Sequence, residues 1–165
     1  MNEKGEQLNK LIYYRSEKLI EQFFEKSDFQ IRNLNFSYNF FGFSIDCEKK
    51  KNNLLKKFKN IKFLHEKSLK INGYYKFSSF CTLKRVVNDD CTFEVEIEIS
   101  LQNSTLKSET SVENWISKSN LNNLIKVGKI ELEGILKILS IPNDSNNIII
   151  QFILIGEKGL FDNNE

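Results

Sequence analysis

The segment 92–101, TFEVEIEISL, alternates without a break: Phe93, Val95, Ile97, Ile99 and Leu101 fall on one parity, and Thr92, Glu94, Glu96, Glu98 and Ser100 on the other. Period two over this length predicts a strand with one face in a core and one in solvent, because a helix would scatter the same apolar residues around its axis. Upstream, Tyr75, Phe77, Cys81 and Leu83 share one face, and Lys76, Thr82 and Lys84 the other. Between the two runs lies Asn88-Asp89-Asp90, whose side chains bond to nearby backbone and favour turns. Pairing Val87 with Cys91 sets Lys84 opposite Glu94, Thr82 opposite Glu96 and Leu83 opposite Val95, so both faces match in kind. A hairpin in that register is the first expectation.

Downstream, Thr110 and Glu113 have capping-box spacing, and Val112, Trp115, Ile116, Leu121, Leu124 and Ile125 make a helical stripe closed by Gly128. A helix over 110–126 follows, with the Ser/Asn run 117–123 as the place where it breaks. Ile130, Leu132, Gly134, Leu136 and Ile138 then alternate, 142–147 is a turn, and 148–155 is an almost unbroken apolar strand. At the other end, Leu8, Leu11, Ile12, Leu19, Ile20, Phe23 and Phe24 recur at three- and four-residue spacing, which predicts an amphipathic helix over 4–26. Segment 29–46 reads as a long strand whose apolar parity changes near Phe40-Phe41-Gly42, the mark of a bulge that lets a strand bend. Three regions result: a helix at 1–28, a β-barrel at 29–156, and an acidic tail at 157–165 that frays.

Composition excludes more than it selects. At 165 residues the chain is one domain's worth and long enough for a real core. A net charge of +2 implies no global field for nucleic acid or membrane. The start, MNEKGEQLNK, is not a signal peptide, and no apolar run reaches membrane-spanning length. Cys47, Cys81 and Cys91 lack metal-ligand spacing and suit a reducing compartment. A nuclear, cytosolic or phage-borne protein fits better than a secreted one. The connection 47–68 carries Lys49, Lys50, Lys51, Lys56, Lys57, Lys59, Lys62 and Lys67 against Glu48 and Glu66. It reads as a solvated amphipathic crossing, or as a segment that tracks phosphates.

The order of elements (bent strand, long connection, hairpin, helix, two strands) resembles the OB-fold, carried by Phe40-Phe41-Gly42, the 69–101 hairpin, helix 110–126, and KIELEGILKIL followed by IIIQFILIG. The expected class is therefore mainly β (α+β): a five-stranded OB-like barrel with an N-terminal amphipathic helix and a helix between strands three and four. Within that superfamily, the size and layout resemble the small single-barrel subunits of replication protein A and of CST-type telomere complexes. The resemblance implies a partner: a larger OB-fold subunit in a telomere- or telomerase-associated assembly in the nucleus. Such subunits pair through a C-terminal helix, which the chain after Ile155 does not supply. Helix 4–26 takes that role in this reading, with Leu11, Ile12, Leu19 and Phe23 as anchors.

Catalytic chemistry finds little support. His65 is the one histidine, so triads and Cys/His pairs lack an imaginable base elsewhere, and the isolated glycines form no phosphate cradle. Glu94, Glu96 and Glu98 would stand about 7 Å apart on one strand face, more simply a solvent row than a metal site. No catalytic residue, metal, cofactor or small-molecule substrate is expected. On an OB-type barrel, nucleic acid lies across strands two and three and the loops after strands one and four, read here as 70–86, 92–101, 47–68 and 141–147. Lys56, Lys57, Lys59, Lys76 and Arg85 are the candidate phosphate contacts, with Tyr74, Phe80 and Lys84 beside them. The glutamate row repels phosphates, so single-stranded binding by this chain alone is expected to be weak. The reading is a non-catalytic accessory subunit of a nucleic-acid-processing complex. The alternative is a small α+β binding or inhibitor protein, phage-encoded or a toxin's immunity partner, without a nucleic-acid role.

Overall fold

The computed structural model describes residues 11–27, 56, 58–144 and 146–161. The strand expected over 29–46, with its bend at Gly42, lies outside the described residues, as do 47–55 and Lys57 of the lysine-rich connection. The chain divides into two compact units, Met1–Ser16 with Lys62–Glu165, and Glu17–Ile61.

The first unit is built on the hairpin of β2 (Tyr74–Val87) and β3 (Phe93–Ser100). Its register is two residues from the expected one: Val87 pairs with Phe93, Lys84 with Glu96, Thr82 with Glu98 and Leu83 with Ile97. A two-residue slip keeps every side chain on its face, which is why side-chain matching alone accepts either register. The turn decides. Cys91 N donates to Asn88 O, Asn88 N donates to Thr92 O, and Cys91 takes a left-handed φ of 70°. That is a three-residue loop over 89–91 with a left-handed final residue, one residue further along the chain than the loop 88–90 of the expected pairing. Asp90 Oδ1 accepts from both the amide and the hydroxyl of Thr92, which fixes the loop and lowers the Asp90 carboxyl below its ordinary range.

β4 (Thr105–Ser111) follows, where the capping-box reading placed the start of a helix. Thr110 is buried in a strand, not capping one: its hydroxyl donates to Val95 O and accepts from the Trp115 indole, both at 2.9 Å. Leu106 is the sole apolar side chain of β4, so the strand carries almost no period-two signal. After a short 3-10 turn (Val112–Asn114), the helix proper is α2 (Lys118–Val127), running through the Ser/Asn run that was expected to break it. Ser117 supplies the N-cap, accepting from Asn120 N, and Gly128 ends the helix at φ 82° as expected. β5 (Lys129–Ser140) and β6 (Asn147–Glu157) complete the set.

These five strands close on themselves. β2 pairs with β3, β3 with β4, β4 with β6 in parallel, β6 with β5, and β5 with β2. A closed five-stranded mixed barrel with its helix between the third and fourth strands is the OB-like architecture expected. The strands that make it are displaced by one: β2, expected second, is first, and β4 is third. Inward side chains including Phe77, Cys81, Val95, Ile97, Ile99, Leu132 and Phe152 form the buried core, each large one contributing roughly 1.5–3 kcal/mol. The barrel closes tightly at Gly134, where the Phe77 ring and the Leu154 carbonyl occupy the space a Cβ would need.

β4 and β6 pair over only three residues before parting. Into the gap goes β1 (Ile12–Arg15), antiparallel to β6 and bridged through Tyr14 to Trp115, with the two rings edge to face at 5.4 Å. Helix 4–26 is thus corrected: 12–15 is a strand, whose alternating burial fits Ile12-Tyr13-Tyr14 better than a helical stripe does. Of the tail expected to fray over 157–165, residues 157–161 are held in place, and 162–165 lie outside the described residues. Glu157 ends β6 and exchanges bonds with Leu11, while Leu160 in the following turn is buried.

The second unit holds α1 (Glu17–Ser27) and the turn at 58–61. Phe23, Phe24 and Phe58 form an aromatic cluster with centroids 5.1–5.4 Å apart, and Ile20 is buried with them in the same unit.

Candidate functional site

An OB-type barrel receives its ligand on the outer face of its second and third strands, flanked by the loops after the first and fourth. In this chain those are β3 and β4 with loops 88–92 and 141–146. The alternation that buries Val95, Ile97 and Ile99 turns Glu94, Glu96 and Glu98 outward, and on β4 it turns out Thr105, Lys107, Glu109 and Ser111. Glu96 stands directly across from Glu109, and Glu98 from Lys107. Like charges in register repel. One local contact reduces that cost: Lys107 Nζ reaches Glu96 Oε2 at 2.8 Å. Glu109 can share a proton with Glu94, and that bond, desolvation and the charges of Glu94 and Glu96 push the Glu109 carboxyl up; the bond to Glu96 raises the Lys107 ammonium. The face where phosphates would run presents four carboxylates around one bridging lysine.

The other expected site residues do not converge. Leu11 is exposed, but Ile12 is buried in β1; Leu19 and Phe23 belong to α1, where Phe23 packs on Phe24 and Phe58. The four anchors therefore share no helix face. Lys56 and Lys59 are exposed beside the 58–61 turn. Lys76, expected on the surface, is only 8% exposed, its ammonium 5.0 Å from the Phe161 ring centroid and 5.5 Å from that of Phe63. Arg85 lies 4.2 Å over the Phe93 ring and donates to Asn122 Oδ1. The contribution of Phe63 was not legible in sequence, since it arises from a single parallel bridge to Lys76, and that of Phe161 depends on the turn after β6, where its amide donates to Glu133 Oε1.

Among reactive groups, His65 is exposed ahead of a 3-10 turn (Glu66–Ser68). Cys81 is buried, which pushes its thiol up to about 12 and keeps it protonated and unreactive at neutral pH. Among the described residues, no three His, Cys, Asp or Glu side chains converge to hold a metal ion, and no helix is long and apolar enough to cross a membrane. No family model matches the chain, and no match was found among curated proteins or solved structures.

Proposed function

We propose that this chain is a non-catalytic OB-type accessory subunit that docks by protein contact within a nucleic-acid-processing assembly. The observation that carries the proposal is the carboxylate row Glu94, Glu96, Glu98 and Glu109 on the outer face of β3 and β4. Those charges repel a phosphate backbone and complement a basic surface, so on this face the natural occupant is a protein that itself binds nucleic acid. The layout resembles small telomere- or telomerase-associated subunits, which would place the chain in the nucleus beside a larger OB-fold partner. The same face supports a second reading, a small inhibitor or immunity protein that offers carboxylates to the basic site of a nucleic-acid-cleaving partner.

The test is co-purification of the tagged full chain from its native cells, against a Glu94→Lys, Glu96→Lys, Glu98→Lys variant. The expected outcome is a basic nucleic-acid-binding partner, recovered with the unaltered chain and lost with the variant. Retention of the same partner by the variant refutes docking through this face. Capture of a nuclease whose activity the chain abolishes selects the second reading.

A further inference from the structure

We infer that the open edge of β2 at residues 85–87 pairs with the same edge of a second copy of this chain, joining two barrels in an antiparallel, two-fold arrangement. This goes beyond the docking role proposed above, which concerns the outer face of β3 and β4 and stands or falls separately.

Ladder parity creates the edge. Asn88 N donates to Thr92 O at the head of the hairpin, and the register runs unbroken from Val87 opposite Phe93 to Cys81 opposite Ile99. Main-chain groups of Thr82, Lys84 and Val86 therefore point to β3, and those of Leu83, Arg85 and Val87 point the other way. On that other side, the pairing with β5 stops at Thr82 opposite Lys129, and Leu83 N takes Gly128 O where α2 gives way to β5. The last residues of β2 run past this point. Among the described residues, no main-chain bond reaches Arg85 or Val87 from there. The edge is open in space as well: Val87 is 67% exposed, and Val127, next to the Gly128 that bonds Leu83, is 64% exposed. Folded proteins blunt such edges with proline, a bulge or charge. Here there is no proline and no bulge over 81–87, and Arg85 turns its guanidinium to Phe93 and Asn122. Two valines and Lys84 are what an incoming strand meets.

Register and charge select the occupant. Two antiparallel copies bond only where residues of the outward-pointing set meet each other, which leaves few registers. Setting Arg85 against Arg85 brings like charges together. Setting Val87 against Val87 requires the turn at 89–91 to extend. Centring the two-fold axis on Val86 satisfies every open group: Arg85 exchanges main-chain bonds with Val87 of the second copy, and Val87 with its Arg85. Lys84 then lies beside the Asn88-Asp89-Asp90 tip of the second copy. Within the chain, Glu96 stands across from Lys84 but is bridged to Lys107 at 2.8 Å, and Asp89 is exposed. Each end of the segment KRVVNDD at 84–90 thus offers a charge that the opposite end of the other copy matches. Such a contact is isologous and closes at two copies. Adding a strand to an exposed edge, with main-chain bonds for affinity and side chains for register, is an established mode of protein association.

The experiment is sedimentation equilibrium of the full chain, with hydrogen exchange read at single amides. A dimer is expected with a Kd on the order of 50 μM, since the contact is small. Val87→Pro removes an N–H that bonds nothing within the chain, at the last residue of its strand, and should weaken dimerisation about tenfold or more with the melting temperature kept. Asp89→Lys on the exposed tip sets like charges together and should weaken it about tenfold. Were Val87→Pro to misfold, exchange in the unaltered chain decides. Between about 10 and about 500 μM protein, the amides of Arg85 and Val87 should exchange about fourfold more slowly as the dimer fills. Those of Lys84 and Val86, already bonded to β3, should not change. A monomer at about 500 μM overturns the inference. So does a dimer indifferent to both substitutions, or one that forms without added protection at Arg85 and Val87.

Discussion

The β3–β4 face and the β2–β5 face cover the same core and share the same strand geometry, yet one presents carboxylates and the other aromatic rings beside ammonium groups. On β3 the outward residues are Glu94, Glu96 and Glu98; on β2 they include Phe80 and Lys84. The inward residues of both strands are interchangeable in kind. The barrel is specified from inside, and the outward positions are free to carry either sign of charge. A barrel fold therefore does not decide which face works.

The two faces share one point of closure on β5. Gly134 sits on β5 with the Phe77 ring and the Leu154 carbonyl where a Cβ would go. Gly134→Ala should cost about 3 kcal/mol or more, because backbone on one side and a packed ring on the other leave nothing that can yield cheaply. Urea denaturation measures it, and the amides behind both faces should lose hydrogen-exchange protection together. A cost below about 1 kcal/mol would mean that the barrel closes more loosely at this point than the geometry states.

A more selective change separates the faces. Thr110 lies behind the β3–β4 face, its hydroxyl bonded to Val95 O and to the Trp115 indole. Thr110→Val preserves shape but leaves a buried indole N–H unpaired, at about 1–3 kcal/mol. Hydrogen exchange should show β4 amides losing protection first, while the β2–β5 ladder keeps its own. Uniform loss along all strands would show that the barrel opens as one unit.

How much of this was legible in the sequence depends on where the apolar residues lie. The β2–β3 hairpin, β5 and β6 announce themselves by alternation or by unbroken apolar runs, and Gly128 ends its helix as its position suggests. β4 was hidden because its inward positions are Leu106, Ser108 and Thr110, two of them hydroxyls, and Thr110 with Glu113 imitates a helix cap. β1 was hidden because Ile12-Tyr13-Tyr14 extends the helical spacing of Leu19, Ile20 and Phe23. In both cases the burial is decided by partners distant in sequence, β6 and Trp115 for β1, and Val95 for Thr110. The glutamate row was readable by parity alone. The lysines over the Phe80 and Tyr74 rings were not, since they need β5 in register beside β2.

The smallest effect is the one that tests the acidic face most directly. Glu109 is pushed above the ordinary carboxyl value of 4.5 by its bond to Glu94 and by the neighbouring carboxylates. The folded chain therefore binds this proton more tightly than the unfolded chain does. Between the ordinary value and the raised one, the folded state carries more protons, so stability falls as pH rises through that window. Glu109→Gln keeps the hydrogen bond without the charge, and it should remove this slope and raise the melting temperature at pH 7 by about a degree or two. The pair is exposed, so salt near 1 M should erase most of the difference. A basic partner docked on this face favours the ionised form instead. Docking should release the proton and tighten as pH rises across the same window in which the free chain loses stability. If affinity for the co-purified partner falls with rising pH there, the carboxylates are not what that partner reads.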